Sequence, residues 1–249
     1  LVTGMTLKIE RHQTLTMAKT KPPGSGSREL IGYNVYRDEQ KINENYVQNT
    51  SYLDEELPAG TYDYYVTSVY NAGESDPSNM VSVGIEVLVQ DFILTPGWNS
   101  ISSNLIPVNA EVEFICSPIV DDLIILQDRT NCYYPAQNIN TIGNWDLSTG
   151  YLVKVNQECH LPVQGFSNET NTLTLSNGWN LMPVLSDCDV NTETIFSSIS
   201  SYIRIVKDAD GTGVYWPSKG SISLPVLKPG KAYYVKIFST KTITFPVCE

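Results

Sequence analysis

The side chains that could support nucleophilic catalysis are few in this sequence. It has two histidines, His12 and His160, so a Ser-His-acid or Cys-His system has almost no base to draw on. Cys159 and His160 are neighbours, and neighbouring residues of a strand point to opposite faces of the sheet, which prevents a hydrogen-bonded dyad. We therefore expect both histidines to be structural or surface residues, and we expect the chain not to be an enzyme.

Acidic side chains offer a second kind of chemistry. The segment Asp208-Ala-Asp210-Gly211 is similar to part of a calcium loop, because alternating carboxylates followed by glycine can wrap a hard cation. It lacks the later glutamate of such loops, so an Asp-Gly hairpin turn is favoured and calcium at Asp208 and Asp210 is a weak alternative. Carboxylate pairs such as Glu111 and Glu113 are expected to be solvated surface charge. The sequence predicts no cofactor.

The balance of charge limits the partners of the chain. Its 249 residues include 16 Lys and Arg against 27 Asp and Glu, a formal net charge of -11. Nucleic-acid phosphates and anionic lipid surfaces are normally met by clustered Lys and Arg, so we expect neither as a partner. No apolar run approaches the roughly 18–20 residues that span a bilayer. We therefore expect no membrane-spanning segment.

Five cysteines form an odd set without metal-type spacing: Cys116, Cys132, Cys159, Cys188 and Cys248. Because they cannot all pair within one chain, at least one must be free or bonded elsewhere. We expect most of them to be small buried apolar side chains, with a disulfide bridge as the alternative.

An internal duplication organises the last two thirds of the chain. The segment Leu94–Asn99 (LTPGWN) matches Leu175–Asn180 (LSNGWN), and an offset of about 81 residues continues through the sequence after it. Further matches at this offset include Tyr133–Pro135 with Tyr215–Pro217 and Leu152–Val155 with Tyr234–Ile237. Collinear matches separated by small insertions indicate one fold used twice.

Each copy is expected to be a small β-rich domain with one helical turn. The Gly-Trp-Asn segment is interpreted as a turn that leads into a strand, and Asn109 or Asn191 can cap a short helix after it. Apolar runs and apolar-polar alternation then indicate strands, which are Leu123–Gln127, Tyr202–Lys207, Tyr151–Val155 and Tyr233–Ile237.

The asparagine of each Gly-Trp-Asn segment has two interpretations. Asn99 and Asn180 are suited to a turn in which the side chain bonds its own backbone. The disfavoured alternative is an isopeptide crosslink to Lys154 or Lys236, for which no activating carboxylate is evident.

Aromatic rings are the remaining candidates for a binding surface, because exposed Trp and Tyr side chains can hold sugar rings. Two pairs of rings recur at aligned positions, and we expect them to be core residues: Trp98 with Trp179 and Tyr134 with Trp216. Rings found in one copy are freer to serve a surface. Trp145 is therefore the first candidate ligand-binding residue, and Tyr36 and Tyr65 are the next, with partial burial as the alternative for each.

The first ninety residues have a different pattern. Alternation over Tyr62–Ser68 places Tyr64 and Val66 on one face and Tyr65 on the other, as in a half-buried antiparallel strand. Together with Gly32–Asp38 and the loop Asn71–Ser78, this segment resembles a fibronectin type III module of the bacterial surface type. The resemblance covers about Leu7 to Leu88.

The resemblance implies a tyrosine corner at Tyr62, a phenol bonded back to the backbone across the turn after Pro58. The Gly-Trp-Asn copies resemble, less specifically, paired domains behind such modules in large secreted proteins of anaerobic Gram-negative bacteria. This second resemblance implies an exported location and an accessory or adhesive role.

The sequence thus predicts an all-β protein: a fibronectin type III-like sandwich at residues 1–90, followed by two copies of a small β-rich domain at 91–168 and 169–249. The expected function is that of a non-catalytic extracellular or cell-surface accessory region in adhesion, display or spacing, within a larger polypeptide. The alternatives are a carbohydrate-binding module that uses exposed aromatics and an accessory part of a larger secreted hydrolase. The expected partner is a glycan or an extracellular protein.

Overall fold

The computed structural model describes residues 6–9, 13–16, 29–54 and 57–248. Strands dominate it, which confirms the predicted all-β fold class. The chain divides into two compact units, residues 1–86 and 87–249. The three-domain boundaries stay a prediction. Within the described ranges, no helix has the length and apolar content needed to cross a membrane.

The unit of residues 1–86 contains a three-stranded and a five-stranded sheet. Its strands are β1 (Thr6–Ile9), β2 (Gln13–Thr16), β3 (Leu30–Arg37), β4 (Gln40–Lys41), β5 (Ser51–Asp54), β6 (Gly60–Tyr70), β7 (Gly73–Glu74) and β8 (Val81–Ile85). The smaller sheet has the order β2-β1-β5, and in the larger one β6 is joined by β3, β7 and β8, with β4 beyond β3. Val35, Tyr64 and Val66 are buried.

Three side-chain hydrogen bonds, made by Tyr62 and Asp54, join segments of this unit. The Tyr62 hydroxyl donates to the Pro58 carbonyl oxygen at 2.9 Å, which confirms the predicted contact of a tyrosine corner. The carboxylate of Asp54 accepts from Arg37 at 2.8 Å and from the Tyr64 hydroxyl at 2.7 Å. Because Tyr64 is fully buried, burial and the bond to Asp54 raise its pKa, and the phenol stays a donor.

The first half of the unit at residues 87–249 is a five-stranded sheet over a three-stranded one. Its elements are β9 (Leu88–Leu94), β10 (Gly97–Ile101), β11 (Leu105–Pro107), α1 (Val112–Cys116), β12 (Leu123–Gln127), β13 (Cys132–Tyr134), β14 (Ile139–Asn140), β15 (Tyr151–Val155) and β16 (Cys159–Ser167), with 3₁₀ turns at Ser117–Ile119 and Pro135–Gln137. The sheet orders are β10-β15-β12-β13-β14 and β11-β16-β9.

The second half contains a second five-stranded sheet. Its elements are β17 (Thr172–Leu175), β18 (Gly178–Met182), β19 (Val190–Asn191), α2 (Thr192–Phe196), β20 (Ile203–Asp208), β21 (Val214–Trp216), β22 (Ser221–Ile222), β23 (Val226–Leu227), β24 (Tyr233–Ile237) and β25 (Lys241–Thr244), with 3₁₀ turns at Ser197–Tyr202 and Pro217–Lys219. The large sheet has the order β18-β24-β20-β21-β22, and β17 and β19 pair with β25 and β23.

The two five-stranded sheets have the same strand order and equivalent registers. In each, the strand register shifts by one residue at an equivalent position, between Leu123 and Ile125 in one sheet and between Ile203 and Ile205 in the other. The inner face of each sheet forms its own hydrophobic core with the short helix beside it. Strands β10 and β18 begin at the glycine, so Gly-Trp-Asn belongs to the strand rather than to the predicted turn.

Backbone hydrogen bonds join the two halves closely. The Ser102 amide donates to the Gly230 carbonyl at 2.9 Å, and the Gly150 amide donates to the Leu181 carbonyl at 2.8 Å. The backbone approaches so closely at Gly150 that an added Cβ atom would lie 2.3 Å from the Cβ of Ala232. Glycine is therefore required there by packing.

One cysteine pair is bridged, and of the three free cysteines Cys116 alone is buried, which corrects the expectation that most of the five are small buried side chains. Cys188 and Cys248 form a disulfide with a Cα–Cα distance of 6.0 Å. Cys116 is buried and free, and burial raises the pKa of its thiol to about 12. Cys132 and Cys159 are free and half-buried.

Candidate functional site

The two aligned tryptophans lie at the surface, which corrects the prediction that they are core residues. Trp98 on β10 is 46% exposed and Trp179 on β18 is 39% exposed. Each indole lies beside the lysine opposite it on the neighbouring strand. The distance from Nζ to the ring centroid is 5.7 Å for Lys154 and Trp98, and 5.4 Å for Lys236 and Trp179. The cation therefore favours one ring orientation without burying the ring.

Hydrogen bonds from the next residue hold the turn before each tryptophan. The Asn99 side chain accepts from the Thr95 amide at 3.0 Å and donates to the Thr95 carbonyl at 2.8 Å. Asn180 forms the same two bonds with Ser176, at 2.9 and 2.8 Å. Both asparagines lie on strands rather than in the turn, but their side chains bond nearby backbone as predicted. Each side-chain amide thus links the residue after the tryptophan to the backbone four residues earlier. This link holds the backbone of the exposed tryptophan in place.

Lys154 and Lys236 are residues that sequence reasoning missed as part of a surface. The available signal is that a lysine recurs one residue before the end of the aligned segments Tyr151–Val155 and Tyr233–Ile237, while a tryptophan recurs in the Gly-Trp-Asn segment of each copy. Antiparallel pairing of those strands would have placed the two side chains directly opposite each other. The assumption that a recurrent tryptophan belongs to the core concealed this.

Trp145 is buried, which corrects its place as the first candidate for ligand binding. It is 6% exposed and belongs to the core of the first half. Its ring contacts Tyr151, with centroids 4.2 Å apart, and its amide donates to the Ala110 carbonyl at 2.7 Å. This backbone bond holds the segment against the loop before α1, so the ring fills the core and presents no exposed face.

The structure brings Tyr36 and Tyr65 together in the unit of residues 1–86. They lie opposite each other on β3 and β6, and their rings are stacked with centroids 4.6 Å apart. The Tyr36 hydroxyl donates to Oε1 of Glu74 at 3.0 Å, and the same oxygen accepts from Asn34 and Thr67. Partial burial opposes ionisation of Glu74, but these hydrogen bonds outweigh it and lower the pKa. The two stacked rings are therefore half-buried and held in place beside the Glu74 carboxylate.

Asp208 and Asp210 lie where the two halves of the second unit meet. Asp210 accepts from Nζ of Lys231 at 3.1 Å and from the amide of Ser100 at 3.1 Å. The lysine ammonium thus supplies the positive charge that the calcium alternative assigned to a metal ion. Burial and the neighbouring Asp210 raise the pKa of Asp208, and Oδ1 of Asp208 has no hydrogen-bond partner among the described residues.

His160 and Cys159 lie on opposite faces of β16, as predicted. Cys159 packs against the core of the first half, and His160 is exposed. Nδ1 of His160 lies 2.7 Å from Oδ2 of Asp91, and the hydrogen bond to this carboxylate raises the pKa of the histidine. His12 lies outside the described residues.

Comparison with known proteins gives one family match. Residues 23–84 match the model described as Rhamnogalacturonan I lyases beta-sheet domain, which is about a quarter of the chain. The matched segment is similar to a β-sheet accessory module of carbohydrate-active proteins. Neither a curated protein nor a solved structure matches the chain. The resemblance to fibronectin type III modules and to paired bacterial surface domains stays a prediction.

Proposed function

We propose that the chain is a non-catalytic accessory region of a larger, extracellular, carbohydrate-active protein, and that its exposed sheet faces bind glycans. One observation carries the proposal: Trp98 and Trp179 are exposed at equivalent positions of two sheets, each beside a strand-paired lysine. The family match of residues 23–84 supports an accessory role in carbohydrate chemistry.

The chemistry of these pairs fits a sugar. An indole ring offers a flat apolar face for the C–H groups of a pyranose, and the neighbouring ammonium offers donors for its oxygens. Glycan sites combine such apolar rings with a few placed polar groups. The asparagine-held turns keep Trp98 and Trp179 in place before binding, which lowers the entropy lost on association.

Three finer statements belong to the same proposal. The halves at residues 91–168 and 169–249 are copies of one fold, since their large sheets share strand order and register. The unit before them is a fibronectin type III-like module. The location is extracellular, which the bridge between Cys188 and Cys248 favours because disulfides persist in oxidising compartments.

A glycan-array screen followed by calorimetry with the captured oligosaccharide tests the proposal. Trp98→Ala and Trp179→Ala should each weaken binding by about tenfold, because each removes a stacking face. Phe114→Ala is the matched control, since Phe114 is a 54% exposed ring that lies on α1 rather than on a strand of either five-stranded sheet. Equal losses in the control and the tryptophan variants would contradict the proposal. If the protein is folded but binds no glycan on the array, a role in display or spacing would be favoured instead.

A further inference from the structure

The second five-stranded sheet has an outer face that is rich in rings and cations. Buried and half-buried residues alternate along β24, so Tyr234 and Lys236 point away from the core. Trp179 lies opposite Lys236, and Lys207 lies opposite Tyr234. Trp216 follows the buried Tyr215, so it too points outward. We define the outer face of the second sheet as Trp179, Arg204, Lys207, Trp216, Tyr234 and Lys236.

The cations of this face contact aromatic rings. Lys236 Nζ lies 5.4 Å from the centroid of Trp179, and Lys207 Nζ lies 5.4 Å from that of Tyr234. The two rings meet edge to face with centroids 6.1 Å apart. Cation–π contacts of this kind hold the ammonium groups over the ring faces. Ring faces and positive charges are therefore interleaved along the sheet.

None of these cations is neutralised by a described acidic side chain. Within residues 29–54 and 57–248, Arg204, Lys207, Lys219 and Lys236 form no ion pair. This is notable in a chain with 27 acidic and 16 basic residues, where carboxylates are abundant. An unpaired cationic patch on an acidic protein is complementary to an anion that comes from outside it.

A cleft of about 440 Å³ opens at one end of this face. It is lined by Trp216, Phe238, Arg204 and Lys219, with serines beside them and without a carboxylate among the lining residues. The Arg204 guanidinium lies 5.8 Å from the Phe238 centroid. Such a cleft offers ring faces for a sugar, hydroxyls for its oxygens and a planar fork of donors that matches a carboxylate.

The first sheet lacks these charges at equivalent positions. Its register places neutral side chains where the second sheet has the two strand cations and the tyrosine, namely Ile124 for Arg204, Gln127 for Lys207 and Leu152 for Tyr234. The shared elements, Trp98 with Lys154 and Trp179 with Lys236, are the same in both sheets. The same backbone therefore occurs with these charges in the second sheet and without them in the first.

We infer that the outer face of the second sheet and its cleft bind polysaccharides that carry carboxylate groups, which names the ligand class within the proposed glycan binding on which this inference rests. Uronate rings lie across Trp179, Tyr234 and Trp216. Their carboxylates bind Arg204 and the lysines. Because the partners are opposite charges at a solvated surface, the affinity falls as the salt concentration rises. The first sheet has neutral side chains at the positions of Arg204 and Lys207, so it contributes less to this binding.

The test compares each acidic polymer with a neutral form of the same polymer. Polygalacturonate and polyguluronate oligomers are the probes, and their carboxyl-reduced forms, in which each carboxylate becomes a primary alcohol, are the neutral controls. Calorimetry on the full chain should show binding to the acidic forms that weakens by about tenfold or more on carboxyl reduction. Sulfated dextran and single-stranded polydeoxythymidylate complete the panel as anions of other kinds.

The protein variants exchange one face for the other. Arg204→Ile with Lys207→Gln gives the second sheet the residues of the first, and we expect it to weaken polyuronate binding by about tenfold or more. Lys41→Gln with Lys228→Gln removes the same charge elsewhere and should leave the affinity within about twofold. Tryptophan fluorescence during urea unfolding checks that each variant is folded.

The outcomes separate this inference from the proposed function. Equal binding of reduced and unreduced polymers, full affinity of the exchange variant, or tighter binding of sulfated dextran or polydeoxythymidylate would overturn the inference. Binding of the reduced, neutral polymers alone would overturn it and leave glycan binding standing. Failure of every saccharide to bind would overturn both.

Discussion

Alanine at position 150 should push apart the two halves of the unit at residues 87–249. The new Cβ atom would lie 2.3 Å from the Cβ of Ala232 and 3.4 Å from Cγ of Leu181. Carbon atoms in contact stay about 3.5–4.0 Å apart, so the segments would have to separate by more than about 1 Å. Gly150 does not adopt a positive φ, so alanine fits its backbone and the collision is the main cost.

The magnitude follows from three effects. Overpacking of a well-packed contact costs about 1–3 kcal/mol. The same displacement weakens the 2.8 Å hydrogen bond from the Gly150 amide to the Leu181 carbonyl, which is worth about 1 kcal/mol. Alanine also restricts the unfolded chain and restores about 0.4–1 kcal/mol. We therefore expect Gly150→Ala to lower the free energy of unfolding by about 1–3.5 kcal/mol.

Urea unfolding followed by tryptophan fluorescence measures this loss in the correct unit. All four tryptophans, Trp98, Trp145, Trp179 and Trp216, belong to the unit at residues 87–249, so their emission reports its unfolding. A double-mutant cycle with Ala232→Gly isolates the collision, because that change removes the opposing Cβ atom. Ala232→Gly alone should cost about 1 kcal/mol, and in that background Gly150→Ala should cost little.

Two results would refute this reasoning. One is an unfolding midpoint that Gly150→Ala leaves unchanged, which would mean that the halves are not packed at this contact. The other is a coupling energy near zero in the cycle, since a true collision must disappear with either Cβ atom.

Three further predictions concern single groups. Replacing Cys188 and Cys248 by serine should lower the free energy of unfolding by about 4 kcal/mol, from the chain entropy of the loop that the bridge closes, as measured by urea unfolding without reductant. A thiol reagent should label Cys132 and Cys159 in the folded protein but reach the buried Cys116 only after denaturation, as counted by absorbance. The pKa of Asp208 is raised, so its ionisation lowers the stability of the protein as the pH rises through that pKa. Asp208→Asn should therefore stabilise the protein at pH 7. Urea unfolding midpoints should show this difference shrinking below about pH 4.

Local periodicity was enough to predict much of the fold. Strands at Leu123–Gln127, Tyr151–Val155 and Tyr233–Ile237 lie where alternation or apolar runs indicate them, because one face of each strand is buried and the other is not. The contact from Tyr62 to Pro58 was implied by the resemblance to fibronectin type III modules, and it joins residues four apart. These features depend on short stretches of chain.

Features that depend on distant segments were not predictable. The Cys188–Cys248 bridge joins residues 60 apart, and an odd set of cysteines does not reveal which two meet. Trp145 is buried in a segment whose amide bonds the distant carbonyl of Ala110, a contact that no periodicity marks. The ion pair of Asp210 with Lys231 likewise forms where two halves of one unit meet. Tertiary contact, rather than local propensity, decides each of them.

Recurrence at aligned positions shows that a residue is needed, but it does not say for what. Trp98 and Trp179 recur and are exposed, whereas Trp145 occurs in one half alone and is buried. The two copies share the same turn geometry. A side chain next to such a turn can therefore recur at aligned positions whether it faces the core or the solvent. Ile124 and Arg204, in contrast, occupy equivalent positions and differ. The same bulge holds an aliphatic side chain in one sheet and a guanidinium in the other. The backbone therefore decides where a surface lies, and a few substitutions on it decide what that surface can bind.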